Sequence, residues 1–215
     1  MTSDFDDIKK IYKLIKSDIE KQIAGFKSIW KRGNNDELFT ELAFCILTPQ
    51  SKARSGWKAI CNLKEKNLLL CGKYSDVNKE LNIVRFKNKK AEYLIHAREK
   101  FASNENPGLK KLLSSFTSIY EKRDWLVKEV KGYGYKEASH FLRNIGLGEE
   151  IAILDRHILK NLKLFDVIKK IPDSITRKKY LEMEEQLKIF AKEIKIPADH
   201  LDFVLWYKEA GEVFK

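Results

Sequence analysis

Apolar residues recur at three- and four-residue steps through Ile8, Ile11, Leu14, Ile15, Ile19, Ile23, Phe26 and Ile29. That spacing lays one apolar stripe along a cylinder of 3.6 residues per turn, so it predicts a long amphipathic helix, which Gly33 ends. Asp36 can cap the next helix, over residues 38–47. Thr48-Pro49-Gln50 breaks that helix, because proline has no N–H to give, and Ser51 can cap another running through Trp57, Ile60 and Leu63. Further helices are predicted over 87–101 and 109–120, separated by the loop signal Asn104-Glu105-Asn106-Pro107-Gly108. Toward the end come a helix after Asp155, one over 174–194 and one after Pro197, closed by Gly211, with 212–215 as a short tail. No stretch alternates β-branched and polar residues, and no repeat is visible, so the chain reads as all-α.

One segment between these helices carries chemistry. A hydrophobic helix containing Trp125, Leu126, Val127 and Val130 runs into Lys131-Gly132-Tyr133-Gly134-Tyr135-Lys136. Two glycines one residue apart allow positive φ and a tight hairpin, which leaves backbone N–H groups aimed outward and able to bind phosphate. Lys136 then falls in the first turn of the second helix, where the helix dipole and neighbouring Lys and Arg disfavour an ammonium. An amine so placed can act as a nucleophile. Nineteen residues later the apolar run Ile151-Ala152-Ile153-Leu154 delivers Asp155 to the start of another helix.

Composition narrows the partners. The chain has 215 residues, enough to bury a core as one domain or two small lobes. Its 42 Lys and Arg against 31 Asp and Glu give a formal charge of +11, which favours a polyanionic partner without saying anything about fold. The start, Met1 to Asp7, is acidic and lacks a signal-peptide stretch, and no run reaches the roughly 18 apolar residues of a membrane span. An intracellular protein with no membrane partner is expected. Cys45, Cys61 and Cys71 are odd in number and read as buried thiols, and none of the four histidines has metal-ligand spacing to cysteines or carboxylates. No metal is expected.

The hairpin, Lys136 and Asp155 together resemble the helix-hairpin-helix with catalytic lysine and aspartate of the endonuclease III superfamily of base-excision DNA glycosylases. Within it the likeness is to the type-2 8-oxoguanine DNA glycosylases. It is carried by Phe44-Cys45-Ile46-Leu47-Thr48, Arg85-Phe86 with Lys90-Ala91-Glu92-Tyr93, Gly134 through Lys136-Glu137-Ala138-Ser139-His140 to Asn144, Ala152 through Asp155-Arg156-His157 to Leu159, and Leu201-Asp202 through Trp206 to Lys215. These pieces span most of the chain. Pro49-Gln50-Ser51-Lys52-Ala53-Arg54 departs from the type-2 pattern of Ala-Asn and small residues, and is more like endonuclease III and the adenine-mismatch enzymes. Many superfamily members carry four closely spaced cysteines near the C-terminus for an iron–sulfur cluster. No cysteine follows Cys71, so neither that cluster nor another cofactor is expected.

The resemblance implies two helical lobes, residues 1–34 with 165–215 and residues 35–164, and a cleft holding the hairpin. It implies a monomer that removes 8-oxoguanine from double-stranded DNA and cleaves the strand by β-elimination, with Lys136 attacking the sugar and Asp155 assisting. Phe86 and Trp206 would stack on the extruded base and the Lys215 end would reach its pocket. Gln50, Lys131, Gly132, Gly134, Arg156 and His157 would hold the DNA. The damaged base carries a proton on N7 where guanine has a lone pair, so one acceptor distinguishes them, an unmade buried hydrogen bond costing roughly 1–3 kcal/mol. Taken singly, Lys136 reads as a phosphate-contacting or solvated lysine, Asp155 as an N-cap, Phe86 and Trp206 as core, His140 as a packed histidine and Lys215 as a frayed end. Two other functions stay open: a cluster-free glycosylase for oxidised pyrimidines, which Pro49-Gln50 favours, and a helix-hairpin-helix module that only binds DNA.

Overall fold

A computed structural model describes residues 2–102 and 107–215, with side chains from Phe5 onward. The loop signal at 104–106 lies outside the described residues, among which all regular structure is helical. Helix α1 (Thr2–Arg32) buries Ile8, Ile15, Ile19 and Phe26, while Leu14 points to solvent. Gly33, at φ +65°, ends it as expected. Helix α2 (Asn35–Leu47) is capped by Asn34, whose side chain accepts from Asp36 N and Glu37 N, so the cap lies two residues before Asp36. Residues 38–47 of α2 are all buried, so this helix is surrounded rather than amphipathic.

Helix α3 (Ala53–Glu65) starts at Lys52 without a side-chain cap, because the Ser51 hydroxyl is turned to Arg85 N and Lys90 Nζ instead. Two short helices, α4 (Leu68–Cys71) and α5 (Tyr74–Glu80), and a 3-10 turn (Leu81–Ile83) fill a stretch with no clear periodicity. Helix α6 (Lys87–Phe101) follows the prediction. The helix expected over 109–120 ends early, as α7 (Leu109–Ser114), and the separate helix expected before the hairpin starts sooner, as α8 (Ile119–Glu129). Ser118 starts α8 by accepting from Tyr120 N while its own N–H donates to Glu121, a capping box that a residue inside a helix could not form. Then come α9 (Tyr135–Asn144), α10 (Arg156–Leu164), α11 (Arg177–Glu193), capped by Thr176, and α12 (Ala198–Ala210). Gly211, at φ +74°, closes α12.

Buried side chains divide into two cores. One gathers α2 with the inner faces of α3, α6, α7, α8 and α9 and ends at Ile151. The other begins again at Ala152 and joins the stripe of α1 to α10, α11 and α12. Between them lies a buried ion pair. Arg123 of α8 donates to both carboxylate oxygens of Glu184 of α11 at 2.6 and 3.0 Å and to Ser139 Oγ at 3.1 Å. Glu184 also accepts from Ala152 N at 2.7 Å, and the Tyr180 hydroxyl donates to Ala152 O at 2.7 Å while accepting from Leu154 N at 3.2 Å. Helix α11 thus clamps the extended segment that leads to Asp155.

Candidate active site

The hairpin is built on one special glycine. Gly132 has φ +86°, and a Cβ there would stand 2.5 Å from the Tyr93 ring. Gly134 does not share the expected positive φ: at φ −106° and ψ −172° it is the extended N-cap of α9, and its N–H donates to Glu137 at 3.1 Å. Tyr133 points inward and its hydroxyl donates to Leu42 O at 2.8 Å, fastening the hairpin to α2. Lys131 is left exposed on the outside.

Helices α2 and α9 then run side by side, and three pairs span the seam. Lys136 Nζ donates to Thr48 Oγ1 at 3.1 Å and lies 3.5 Å from Glu137, with its side chain 23% exposed. One turn on, the His140 ring meets Phe44 edge-on, and at the far end Asn144 donates to Glu41 at 3.0 Å. His140 is buried, and neither ring nitrogen makes a hydrogen bond of good geometry; the Lys215 backbone comes nearest to doing so. Burial, then the charges of Arg143 and Lys136, hold its pKa well below the usual histidine range, so it is a neutral packed ring at pH 7. Burial pushes the Cys45 thiol up, which removes it as a nucleophile.

Asp155 is the N-cap of α10. Its Oδ1 accepts from His157 N at 2.8 Å and Ile158 N at 2.9 Å, so those two backbone donors are already occupied. Arg156 Nε donates to the His157 ring, which also stands edge-on to Trp206 at 5.1 Å and 3.8 Å from Glu209. The Trp206 indole N–H is buried with no partner in the free protein. Behind Asp155, burial pushes the Asp202 carboxyl up to about 6, opposed by the neighbouring Arg143.

The tail is not frayed. Arg54 pairs with Glu212 and covers the Phe214 ring at 4.5 Å, Phe214 packs on Phe44, and the Lys215 ammonium pairs with buried Glu41 while lying 3.7 Å from the centre of the Trp57 ring. At the opposite rim Gln50 and Phe86 both have left-handed backbone, φ +53° and +59°. Phe86 is 57% exposed beneath the Arg85 guanidinium. The hairpin with Lys136 and the docked tail therefore meet at the α2/α9 seam, while Asp155, His157 and Trp206 gather at the start of α10.

The sequence profile of the 8-oxoguanine DNA glycosylases matches residues 19–196. A Fusobacterium nucleatum 8-oxoguanine DNA glycosylase/AP lyase is 50% identical over 211 residues, covering 98% of this chain and 97% of that protein. The chain belongs to the 8-oxoguanine DNA glycosylase family. Two solved members superpose over their whole length and the whole of this chain with a TM-score of 0.88. One is the Thermotoga maritima 8-oxoguanine DNA glycosylase, 31% identical. The other is the Methanocaldococcus jannaschii 8-oxoguanine glycosylase/lyase, 36% identical, crystallised with 15mer DNA containing 8-oxoguanine. The all-α architecture and the helix-hairpin-helix are those of this glycosylase family. Among the described residues no group of three His, Cys, Asp or Glu could hold a metal, and no helix is long and apolar enough to cross a membrane.

No sequence motif assigns a role to Thr48, Lys90, Glu41 or Asn144. A signal for Lys90 was present: it stands in phase with Ala91, Leu94, Ala97 and Phe101, on the stripe of α6 that should be apolar. Glu41 and Asn144 gave a weaker one, each a polar residue inside a run that is buried throughout.

Proposed function

We propose that this chain removes 8-oxoguanine from double-stranded DNA and then cuts the strand as an AP lyase, with Lys136 as nucleophile. The observation that carries the reading is the Lys136 amine: it follows the hairpin directly, is reachable from solvent, and rests on the Thr48 hydroxyl. The nucleotide is first extruded, because its anomeric carbon is hidden in the stacked duplex. The amine, as the free base, attacks C1′ as the bond to the base breaks with its electrons leaving on the base; the nitrogen gives up a proton, the C1′–O4′ bond opens with O4′ taking a proton, and an iminium forms between Nζ and C1′. Loss of a C2′ proton then expels the 3′ phosphate. Asp155 supplies negative charge beside the developing cation, held in aim by its two cap bonds, both on Oδ1.

Phe86 and Trp206 stack on the extruded base, and the Lys215 end of the tail approaches its N7 edge. The partnerless Trp206 indole and the seated tail support this assignment. Lys131, Gly132, Gly134, Arg156 and His157 hold the phosphates and Gln50 contacts the DNA. The enzyme works as an intracellular monomer of two lobes without a cofactor. The buried residues of α10 pack in the same core as α1, α11 and α12.

Borohydride reduces the iminium to a stable amine, so wild-type protein mixed with lesion duplex should yield a covalent protein–DNA adduct. Lys136→Gln should trap nothing while still binding the lesion; an adduct from that variant would mean another nucleophile. Thymine glycol duplex, assayed in parallel, should be cut far more slowly than 8-oxoguanine duplex. Equal rates would favour the oxidised-pyrimidine function instead.

A further inference from the structure

Burying an ammonium is unfavourable unless each of its protons finds an acceptor. Lys90 is only 4% exposed, and its Nζ donates to Leu47 O at 2.8 Å, Pro49 O at 2.8 Å and Ser51 Oγ at 2.9 Å. Three acceptors meet three protons, a set complete only in the charged form. All three lie within residues 47–51, the turn in which α2 ends. Carbonyls at a helix end lack their intrahelical donors and carry the negative end of the dipole, so a cation fits there.

The same turn carries two residues of the site. Thr48 presents the oxygen that meets Lys136 Nζ, and Gln50 is held exposed in the left-handed region, which is strained for a residue with a Cβ. Ser51 extends the connection, since its hydroxyl also accepts from Arg85 N, one residue before Phe86.

We propose that Lys90 is a positioning residue: its ammonium fixes the 47–51 turn so that Thr48 Oγ1 stays on Lys136 Nζ and Gln50 keeps its strained backbone. The inference rests on Lys136 being the nucleophile. Burial, and after it the Lys136 charge, push the Lys90 amine down to about 8; Arg85 acts the same way, and Glu137 of α9 opposes. The grip is therefore present at neutral pH and loosens as pH rises through that value.

The test measures borohydride trapping rates on duplex with a preformed abasic site, which bypasses base recognition. Lys90→Met should slow trapping about tenfold or more, as misplacement of a reacting group by a fraction of an ångström does. Thr48→Val should slow it comparably, and the double variant should match Thr48→Val to within about twofold, because Lys90 acts through Thr48. The ratio of wild-type to Lys90→Met rates should narrow between about pH 7 and about pH 9.5, as wild type loses its ammonium. Should Lys90→Met fail to fold, Ser51→Ala removes one acceptor and should slow trapping about threefold, again absorbed by Thr48→Val. Multiplying effects in the double variant, a ratio flat with pH, or rates equal to wild type would each overturn the proposal. Wild-type protein that traps nothing would instead overturn the Lys136 assignment on which it stands.

Discussion

Single residues set the geometry of this site, and Gly132 and Lys90 do so at opposite ends of Lys136. At Gly132 a side chain meets two obstacles, the left-handed backbone and the Tyr93 ring. Gly132→Ala should lose about 1–3 kcal/mol of stability and weaken DNA binding, checked by urea unfolding and by titration with duplex. At Lys90 the pKa is lowered on folding, from 10.5 to about 8. The cost of burying the charge that grips the turn is thus fully present below about 8 and relieved as pH rises to 10.5. Urea midpoints of wild type relative to Lys90→Met should therefore rise with pH across that window; a constant difference would show that Lys90 keeps its ordinary value. The two residues also differ in legibility. Gly132 stood out because Gly-x-Gly between helices has few uses. Lys90 stands on the apolar stripe of α6, but its role is not legible there, since it lies in three acceptors contributed by a turn some forty residues away.

At the scale of elements, long periodic helices were readable and short or enclosed ones were not. The stripe of α1 and the Gly211 closure of α12 follow from local pattern. The residues of α4 and α5 do not reveal their helices, because helices of 4 and 7 residues are too short to show a period and depend on packing for stability. The break between α7 and α8 was masked by apolar residues on both sides of Ser118. Element-level energetics centre on the Arg123–Glu184 pair, where α8, α9, α11 and the extended segment meet. Arg123→Met should leave a buried carboxylate unpaired and cost about 3–5 kcal/mol in denaturant unfolding. Replacing Glu184 by Met as well should recover a substantial part of that loss; no recovery would mean the pair is not the source.

Across the whole molecule, positive charge and two cores act together. With a formal charge of +11, binding to duplex should fall steeply as salt rises, the slope reporting how many phosphates are neutralised, and a flat response would contradict a basic DNA-binding cleft. That much was legible from composition, whereas the meeting of distant segments was not: Lys215 joins Glu41 across 174 positions, and only the folded chain shows it. The clamp on the segment before Asp155 has a further consequence, for the order in which the protein is made. Residues through α10 contain the hairpin, Lys136 and Asp155, but the Tyr180 and Glu184 groups that hold Ala152 and Leu154 belong to α11 and are synthesised later. A nascent chain halted before α11 lacks the bonds that hold Ala152 and Leu154, so the segment leading to Asp155 is fastened only once most of the polypeptide has emerged.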